Sequence, residues 1–509
     1  MAICVHDTLS RTVKPLAPRE PGTPYRMYCC GPTVYGPAHI GNFRTFILQD
    51  VLRRALQMDG VEVLHVRNIT DVDDKTIRRS QEEGVSLGEF TQKWTRKFHA
   101  DCAALNLLPP HIEPSAVEHI PLQVDMIKNL MERGHAYRTP DGSVYFKVRS
   151  FPEYGKLSHL EPESLRTQDT NSAGDLHTAD EYGREHAHDF ALWKARKPED
   201  GRNFWPSPWG EGRPGWHIEC SAMSTHYLGG TFDLHGGGVD LCFPHHENEI
   251  AQAECSTGER GLAAHWFHCA HLMVDGVKMS KSLGNLYTLD DLRAKGASPA
   301  ALRYALVAGH YRSQLNFTLK GLSDATSAIA KIQKAARKLL ARAGLEPADF
   351  APPEVLETVT TWGIFQKAWD CLRNDLNIPS MLGQLFAALP RATMPGRTLE
   401  EVRADLSGLG NLLYVLGIKL FEESAKNAKD PDAADGVNGG ANPVIVAGND
   451  GVAAAAQTDV PEAIRELAER RKKAKEARDY ATADALRAQL EGLGWKLTDS
   501  KAGHILTPL

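Results

Sequence analysis

Residues 25–67 read YRMYCCGPTVYGPAHIGNFRTFILQDVLRRALQMDGVEVLHVR. The opening YRMYCC at 25–30 has the apolar and aromatic content of a short buried strand, and Gly31-Pro32 ends it. A helical pattern begins near His39 and runs to Gly60, and VEVLHVR at 61–67 is a second strand. Strand, glycine-containing turn, helix and strand make a βαβ unit, which builds a parallel sheet. Two later passages, TFDLHGGGVD at 231–240 and AAHWFHCAHLMVDG at 263–276, read as the returning half of the same nucleotide-binding layer. The predicted fold class is α/β: a Rossmann-type parallel-sheet catalytic domain split by an insertion, followed by an α-helical bundle and a small C-terminal module.

The two sheet halves are expected at 1–110 and 216–296. The insertion at 111–215 contains a hairpin-like stretch, HAYRTPDGSVYFKV (135–148), and a loop-rich one, KPEDGRNFWPSPWGEGRPG (197–215). From 297 to 424, apolar residues recur at helical spacing in SPAALRYALVAGH, DATSAIAKIQKAARKLLARAG, EVLETVTTWGIFQKAWDCLRNDL and LEEVRADLSGLGNLLYVLGIKL, which predicts the bundle. Residues 425–460, rich in Ala, Gly, Asn and Asp, read as a flexible linker. The remaining module, 461–509, opens as a helix at Pro461 and ends in a strand-like tail.

The 509 residues suit about three domains. Hydrophobic residues at 42% and charged residues at 24% are globular values, which excludes disorder for the bulk of the chain. No apolar run of about 18 residues predicts a membrane span. The N-terminal MAICVHDTLSRTVKP lacks a signal-peptide core, and nine irregularly spaced cysteines do not suit a secreted disulfide framework. A cytoplasmic, reducing setting and a monomer are expected. The net charge of −6, from 58 basic and 64 acidic residues, argues against non-specific polyanion binding. Basic residues concentrate at 465–478, where Arg471, Lys472, Lys473 and Lys475 are candidate RNA contacts, although a solvated helix face with i,i+4 pairs explains them as simply.

Three motifs carry chemistry. PAHIGN at 37–42 puts His39 and free backbone N–H groups where strand passes into helix, an anion site suited to nucleotide phosphates. VDGVKMSKSLGN at 274–285 sets Lys278 and Lys281 three residues apart between Gly276 and Gly284, able to swing onto a triphosphate as charge develops. HIGN with KMSKS resembles the class I aminoacyl-tRNA synthetases, with Asn42 where that pattern usually has a second histidine. The resemblance implies that Gly31, His39, Gly41, Gly237, Asp240 and Lys281 hold ATP, with His39, Asn42, Lys278 and Lys281 catalytic. HGGGVD at 235–240 lacks the Gly-Lys-Ser/Thr ending of a Walker loop; by resemblance it lines the nucleoside end, with Asp240 a ribose ligand.

The third motif pairs GWHIECSAM (215–223) with FPHHENEIAQ (243–252), where His245 and Glu249 stand at i and i+4 behind a Pro244 suited to the first helical position. With Cys30 at the strand end, Cys220, His245 and Glu249 form a zinc inventory of two thiolates, an imidazole and a carboxylate. The set, together with NITDVDDK (68–75) and HLMVDGVKMSKSLGN (271–285), resembles the cysteinyl-tRNA synthetase family. That resemblance implies one Zn²⁺ per chain on Cys30, Cys220, His245 and Glu249. It places Cys30, Thr70 and Trp216 around bound L-cysteine, Mg²⁺ with ATP, and tRNA(Cys) as acceptor.

Cys29 and Cys30 alternate along the strand, so only one can face the site. His246 also reaches Glu249, at i,i+3. Cys4, Cys102, Cys255, Cys269 and Cys371 are expected as small core residues, and Cys242 likewise. His186 and His188 in REHAHDF offer a second metal site, with a loop of solvated histidines the simpler reading. Zinc suits the implied substrate, because shape separates near-isosteres such as cysteine and serine by only about 1–3 kcal/mol. A soft-ligand contact to the metal separates thiol from alcohol without an editing domain. Two other functions share much of this pattern: a cysteine ligase acting on an amino sugar, and a non-catalytic zinc-containing RNA-binding paralogue.

Overall fold

The computed structural model describes residues 2–160, 189–279, 283–350 and 361–421, and in the C-terminal segment 444–445, 467, 470–471, 479, 482–483, 486–487, 489–490, 495–500 and 503–508. The chain divides into two compact units, Met1–Glu423 and Ser424–Leu509.

The first unit opens with an antiparallel pair absent from the sequence reading, β1 (Cys4–Asp7) and β2 (Thr12–Pro15). The expected βαβ unit follows as β3 (Tyr25–Cys29), α1 (Ile40–Met58) and β4 (Val63–Arg67), with the two strands parallel. α1 buries Phe43, Ile47, Leu48, Val51 and Leu52 completely. Next come α2 (Asp74–Glu83) and α3 (Leu87–Ala104), also unread in the sequence.

The inserted region holds α4 (Ile120–Glu132) and four strands, β5 (Ala136–Arg138), β6 (Val144–Phe146), β7 (Phe190–Ala195) and β8 (Gly212–Pro214), all paired antiparallel. The chain then passes through α5 (Trp216–Leu228) to β9 (Phe232–Gly238), α6 (Glu247–Thr257) and β10 (Ala263–Cys269). Among the described residues, β10, β9, β3 and β4 lie side by side in that order and all parallel.

This order positions the site. β3 has β4 on one side and β9, from the far half of the domain, on the other, so the sheet reverses direction of growth there. In open parallel sheets, ligands bind beyond the carboxyl ends of strands at such a switch point. Side-chain alternation along β3 sends Met27 and Cys29 into the core shared with α1, and Tyr28 and Cys30 into the core shared with α5 and α6.

A small sheet follows, with β11 (Leu272–Val274) between β12 (Val277–Lys278) and β13 (Leu315–Phe317). Helices α7 (Leu289–Ala294), α8 (Pro299–Val307), α9 (Leu319–Ala343), α10 (Gln366–Arg373), α11 (Ile378–Ala392) and α12 (Leu399–Leu416) complete the unit. The helix expected over 354–376 is shorter: α10 starts at Gln366 after Gly363, whose φ of +51° breaks the helical path, and Asp375 and Leu376 also have positive φ. Residues 351–360 lie outside the described ones. α11 was not read in the sequence; Pro379 stands in its first turn, where no intrahelical bond is lost, and Pro390 lies inside it and leaves the Phe386 carbonyl without its i+4 donor.

The bundle is tied to α1 by a buried charge cluster. Asp50 accepts from Arg54 Nε at 2.8 Å and from Arg303 Nη2, while Arg303 and Arg54 also donate to carbonyls of Leu416 and Tyr414 at the C-terminal end of α12. Arg303 thus serves the Leu416 carbonyl at the helix end, while the Tyr414 carbonyl accepts from the Gly417 N–H as well as from Arg54.

In the second unit, β15 (Trp495–Ser500) and β16 (Gly503–Pro508) form an antiparallel hairpin where a single strand-like tail was expected. Within 425–460, expected as a linker, β14 (Val444–Ile445) pairs with β16. Arg471, expected as a surface contact, is buried, with 4% exposure, so its guanidinium is not displayed to a large ligand. Lys472, Lys473 and Lys475 lie outside the described residues, as do His186 and His188. No helix among the described residues is long and apolar enough to cross a membrane.

Candidate active site and metal centre

Beyond the carboxyl ends of β3, β9 and β10, side chains from four elements converge. Cys30 follows β3, Cys220 lies on α5, and His245 precedes α6, which carries Glu249. Their donor atoms lie within 4.8 Å of one another, and all four residues are buried. Cys30 Sγ is 3.8 Å from Cys220 Sγ and 3.6 Å from Glu249 Oε1, and His245 Nε2 is 2.9 Å from that same oxygen. Two sulfurs on one tetrahedral Zn²⁺, at about 2.3 Å each, stand about 3.8 Å apart. The donor set therefore fits zinc both in chemistry and in the spacing of its sulfurs.

Pro244 does not open α6, contrary to the sequence reading. The helix begins at Glu247 behind a wide turn, Cys242–His246, in which Phe243 is extended (φ −139°, ψ 134°). His245 belongs to that turn, yet still meets Glu249. Its ring stacks on Trp216 (centroids 4.4 Å apart), the first residue of α5, and its Nδ1 is 2.9 Å from His217 Nδ1.

A second set overlaps the first: Cys30, His235, His246 and Glu249 also gather within 4.8 Å. His235 Nε2 lies 2.8 Å from Glu249 Oε2, and its ring stacks on Trp266. His246 Nε2 is 3.3 Å from Cys30 Sγ, and its Nδ1 is 2.8 Å from His268 Nε2, which leads on to Thr8 Oγ1. The sequence reading weighs His246 against His245 through its i,i+3 reach to Glu249, whereas it misses His235 and His268 as candidate metal ligands. HGGG was read for its glycines, although the crowding of His235, His245, His246, His265 and His268 into 34 residues is visible in the sequence.

Electrostatics favour the ionised forms of Glu249 and Cys220 but not of Cys30. Burial opposes the charge on Glu249, but His235 and His245 hold its carboxyl down to about 2. A hydrogen bond from Cys30 lowers the Cys220 thiol, while burial pushes the Cys30 thiol well up. Burial and the neighbouring Cys220 push the Glu219 carboxyl well above its ordinary value.

His39 is the N-cap of α1. Its Nδ1 accepts from the Asn42 N–H at 3.3 Å, and Asn42 Oδ1 accepts from the His39 N–H at 3.1 Å. Asn42 thus closes a capping box that fixes the helix start. Met279 of the KMSKS motif reaches this point: a Cβ on Gly41 would sit 2.3 Å from the tip of its side chain, Cε. Ile40 N–H donates to the Tyr287 carbonyl at 2.9 Å, tying α1 to the chain just after the segment. Lys278 is exposed at the end of β12, and Lys281 lies outside the described residues.

The other expected residues are placed as follows. Gly31 donates its N–H to Asn68 Oδ1 at 2.8 Å. Gly237 lies against His246, whose Cε1 a Cβ there would approach to 2.7 Å, and Asp240 is exposed. Thr70 is buried and donates to Glu219 Oε2 at 2.9 Å. Of the cysteines expected in the core, Cys102, Cys255 and Cys269 are buried, whereas Cys4, Cys242 and Cys371 are only partly so.

A parallel sheet with the HIGN motif at a helix start, Met279 of the KMSKS motif against it and a buried donor cluster at the switch point is the arrangement of a class I aminoacyl-tRNA synthetase catalytic domain. Residues 19–327 match the family described as tRNA synthetases class I (C) catalytic domain. Mycobacterium tuberculosis methionyl-tRNA synthetase, solved in complex with methionyl-adenylate, superposes with a TM-score of 0.53 at 13% identity, over 77% of this chain and 89% of that one. The chain is 49% identical to the cysteine-tRNA ligase of Opitutus terrae, over 100% of its own length and 99% of the relative's. It is 40% identical to that of Brachyspira hyodysenteriae, over 98% of each. The chain belongs to the cysteine-tRNA ligase family.

Proposed function

We propose that the protein activates L-cysteine with ATP as cysteinyl-adenylate and transfers the cysteinyl group to the 3′ end of tRNA(Cys), with a Zn²⁺ ion held by Cys30, Cys220, His245 and Glu249 selecting the thiol. The observation that carries this reading is the buried set of two sulfurs, one imidazole and one carboxylate at the switch point of a class I sheet. Cys220 favours this set over the overlapping one, because it adds a second soft thiolate. Bound there, zinc supplies a soft Lewis acid that takes a deprotonated thiol well and an alcohol poorly.

The residues of the chain do the rest. Trp216, packed on His245, and Thr70, whose hydroxyl donates to Glu219 beside Cys220, are the residues that would surround the bound cysteine. A carboxylate oxygen of cysteine attacks the α-phosphorus in line and pyrophosphate leaves, with Mg²⁺ on the phosphates. His39, at the positive end of α1, and Lys278 and Lys281 stabilise the charge as it moves. A ribose hydroxyl of the tRNA then attacks the acyl carbon and AMP leaves. The setting is cytoplasmic and the working form a monomer. Incubation with labelled cysteine, ATP and tRNA tests the reading: cysteine becomes acid-precipitable if it holds, and its failure to do so would overturn it.

The surface that meets the tRNA includes a face of α9. Residues 325–345 contain Lys331, Lys334, Arg337, Lys338 and Arg342 and no acid, although the whole chain is acidic. Lys331, Lys334 and Lys338 are exposed and spaced to share one helical face. Converting all three to alanine is expected to raise the KM for tRNA about tenfold, at about 0.5 kcal/mol per exposed charge pair, and to leave ATP–pyrophosphate exchange unchanged. An unaltered tRNA KM would remove this face from the interface.

A further inference from the structure

Cys30 and Cys220 reach the pocket from opposite ends of the split domain, one after β3 and the other on α5. Their immediate chain neighbours are nevertheless joined by one run of hydrogen bonds. The Gly31 N–H donates to Asn68 Oδ1 at 2.8 Å. Asn68 Nδ2 donates to Thr70 Oγ1 at 3.1 Å, and the Thr70 hydroxyl donates to Glu219 Oε2 at 2.9 Å. Glu219 precedes Cys220 directly, so the run closes a loop from one sulfur ligand to the other. Each of Asn68, Thr70 and Glu219 is at most 2% exposed.

The backbone holds the start of this run equally firmly. A Cβ on Gly31 would fall 1.6 Å from the Asn68 carbonyl oxygen, so only glycine permits the approach. The Thr70 N–H donates to the Pro32 carbonyl at 3.1 Å, and the Val34 N–H donates to the Thr70 carbonyl at 3.1 Å. The segment after Cys30 is therefore zipped to 68–70, and the Asn68 and Thr70 side chains pass the constraint to α5. Placing a carboxyl here with a hydroxyl donor, and no ion pair among the described residues, is unfavourable if filling space is all that is asked.

We propose that Asn68 and Glu219 are positioning residues of the metal centre, the two ends of a brace that fixes Cys30 and Cys220 at the sulfur spacing zinc requires. This rests on the reading that the centre binds zinc. Neither residue touches the metal; each acts through the ligand beside it. Residues that orient metal ligands typically contribute 10- to 100-fold in affinity.

The test is the zinc dissociation constant, measured by chelator competition on the full chain, with folding checked by circular dichroism. Glu219→Leu removes the acceptor and is expected to weaken zinc binding about 10- to 100-fold. Glu219→Gln keeps an acceptor oxygen for Thr70 and is expected to stay within about threefold of the unmodified protein, whereas Glu219→Met, unbranched and of similar length but without that oxygen, is expected to weaken zinc as the leucine variant does, a contrast that a role in shape alone does not explain. Asn68→Ala cuts the run at its other end and is expected to weaken zinc as Glu219→Leu does, which serves if the leucine variant does not fold. Unchanged zinc affinity in a folded Glu219→Leu or Asn68→Ala variant overturns the brace alone. Failure of the unmodified protein to bind zinc overturns the brace together with the reading beneath it.

Discussion

Replacing Cys220 by alanine is expected to abolish stoichiometric zinc binding and, with it, the preference for cysteine over serine. Cys220 contributes one of two sulfurs 3.8 Å apart, and it is the thiol that its surroundings push toward the thiolate. Without it the remaining donors are one thiol, an imidazole and a carboxylate, a harder and less charged set. Accurate translation needs discrimination of about 10⁴, whereas a pocket relying on shape supplies about 10- to 200-fold. Cysteine and serine should therefore differ by no more than that lower range in ATP–pyrophosphate exchange by the variant. Cys29→Ala is the control. Its side chain is buried on the opposite face of β3, toward α1, so zinc should stay. Stoichiometric zinc in purified Cys220→Ala would refute the ligand set.

The second large effect is expected at Lys281. Met279 lies beside Gly41 at the start of α1, the helix end proposed to meet the phosphates. Lys281 lies two residues further along, and its ammonium gains most where negative charge grows, on the way to the transition state. Removing one such preorganised group typically lowers the rate 10²- to 10³-fold, or about 3–4 kcal/mol. Lys281→Ala should show that loss in ATP–pyrophosphate exchange while keeping its zinc, since the metal ligands stand on other elements. An exchange rate equal to that of the unmodified protein would end the assigned role.

The parallel sheet was legible because its signals are local. YRMYCC and VEVLHVR have strand composition, and the helix between them has a clear 3.6-residue period. The period of two also limited the choice between Cys29 and Cys30, and the structure puts Cys29 on the α1 face and Cys30 among the donors. What was illegible depends on long-range packing. Thr70 and Glu219 meet across 149 positions, and no local pattern marks such a pair. His235 was hidden inside a glycine run whose usual meaning is backbone approach. Arg471 sits in a basic run that composition alone makes a surface, yet its side chain is buried. Val444–Ile445 is too short to announce a strand until β16 is there to pair with it.

The central claim is that the metal centre itself takes the substrate's thiol, and cobalt substitution tests it most directly. Co²⁺ accepts the same tetrahedral donor set and reports each bound thiolate by its charge-transfer absorption. Titrating the cobalt-loaded protein with L-cysteine should add intensity to that band and saturate at one equivalent, whereas L-serine should add none. A band unmoved by L-cysteine, at concentrations that support ATP–pyrophosphate exchange, would contradict the account.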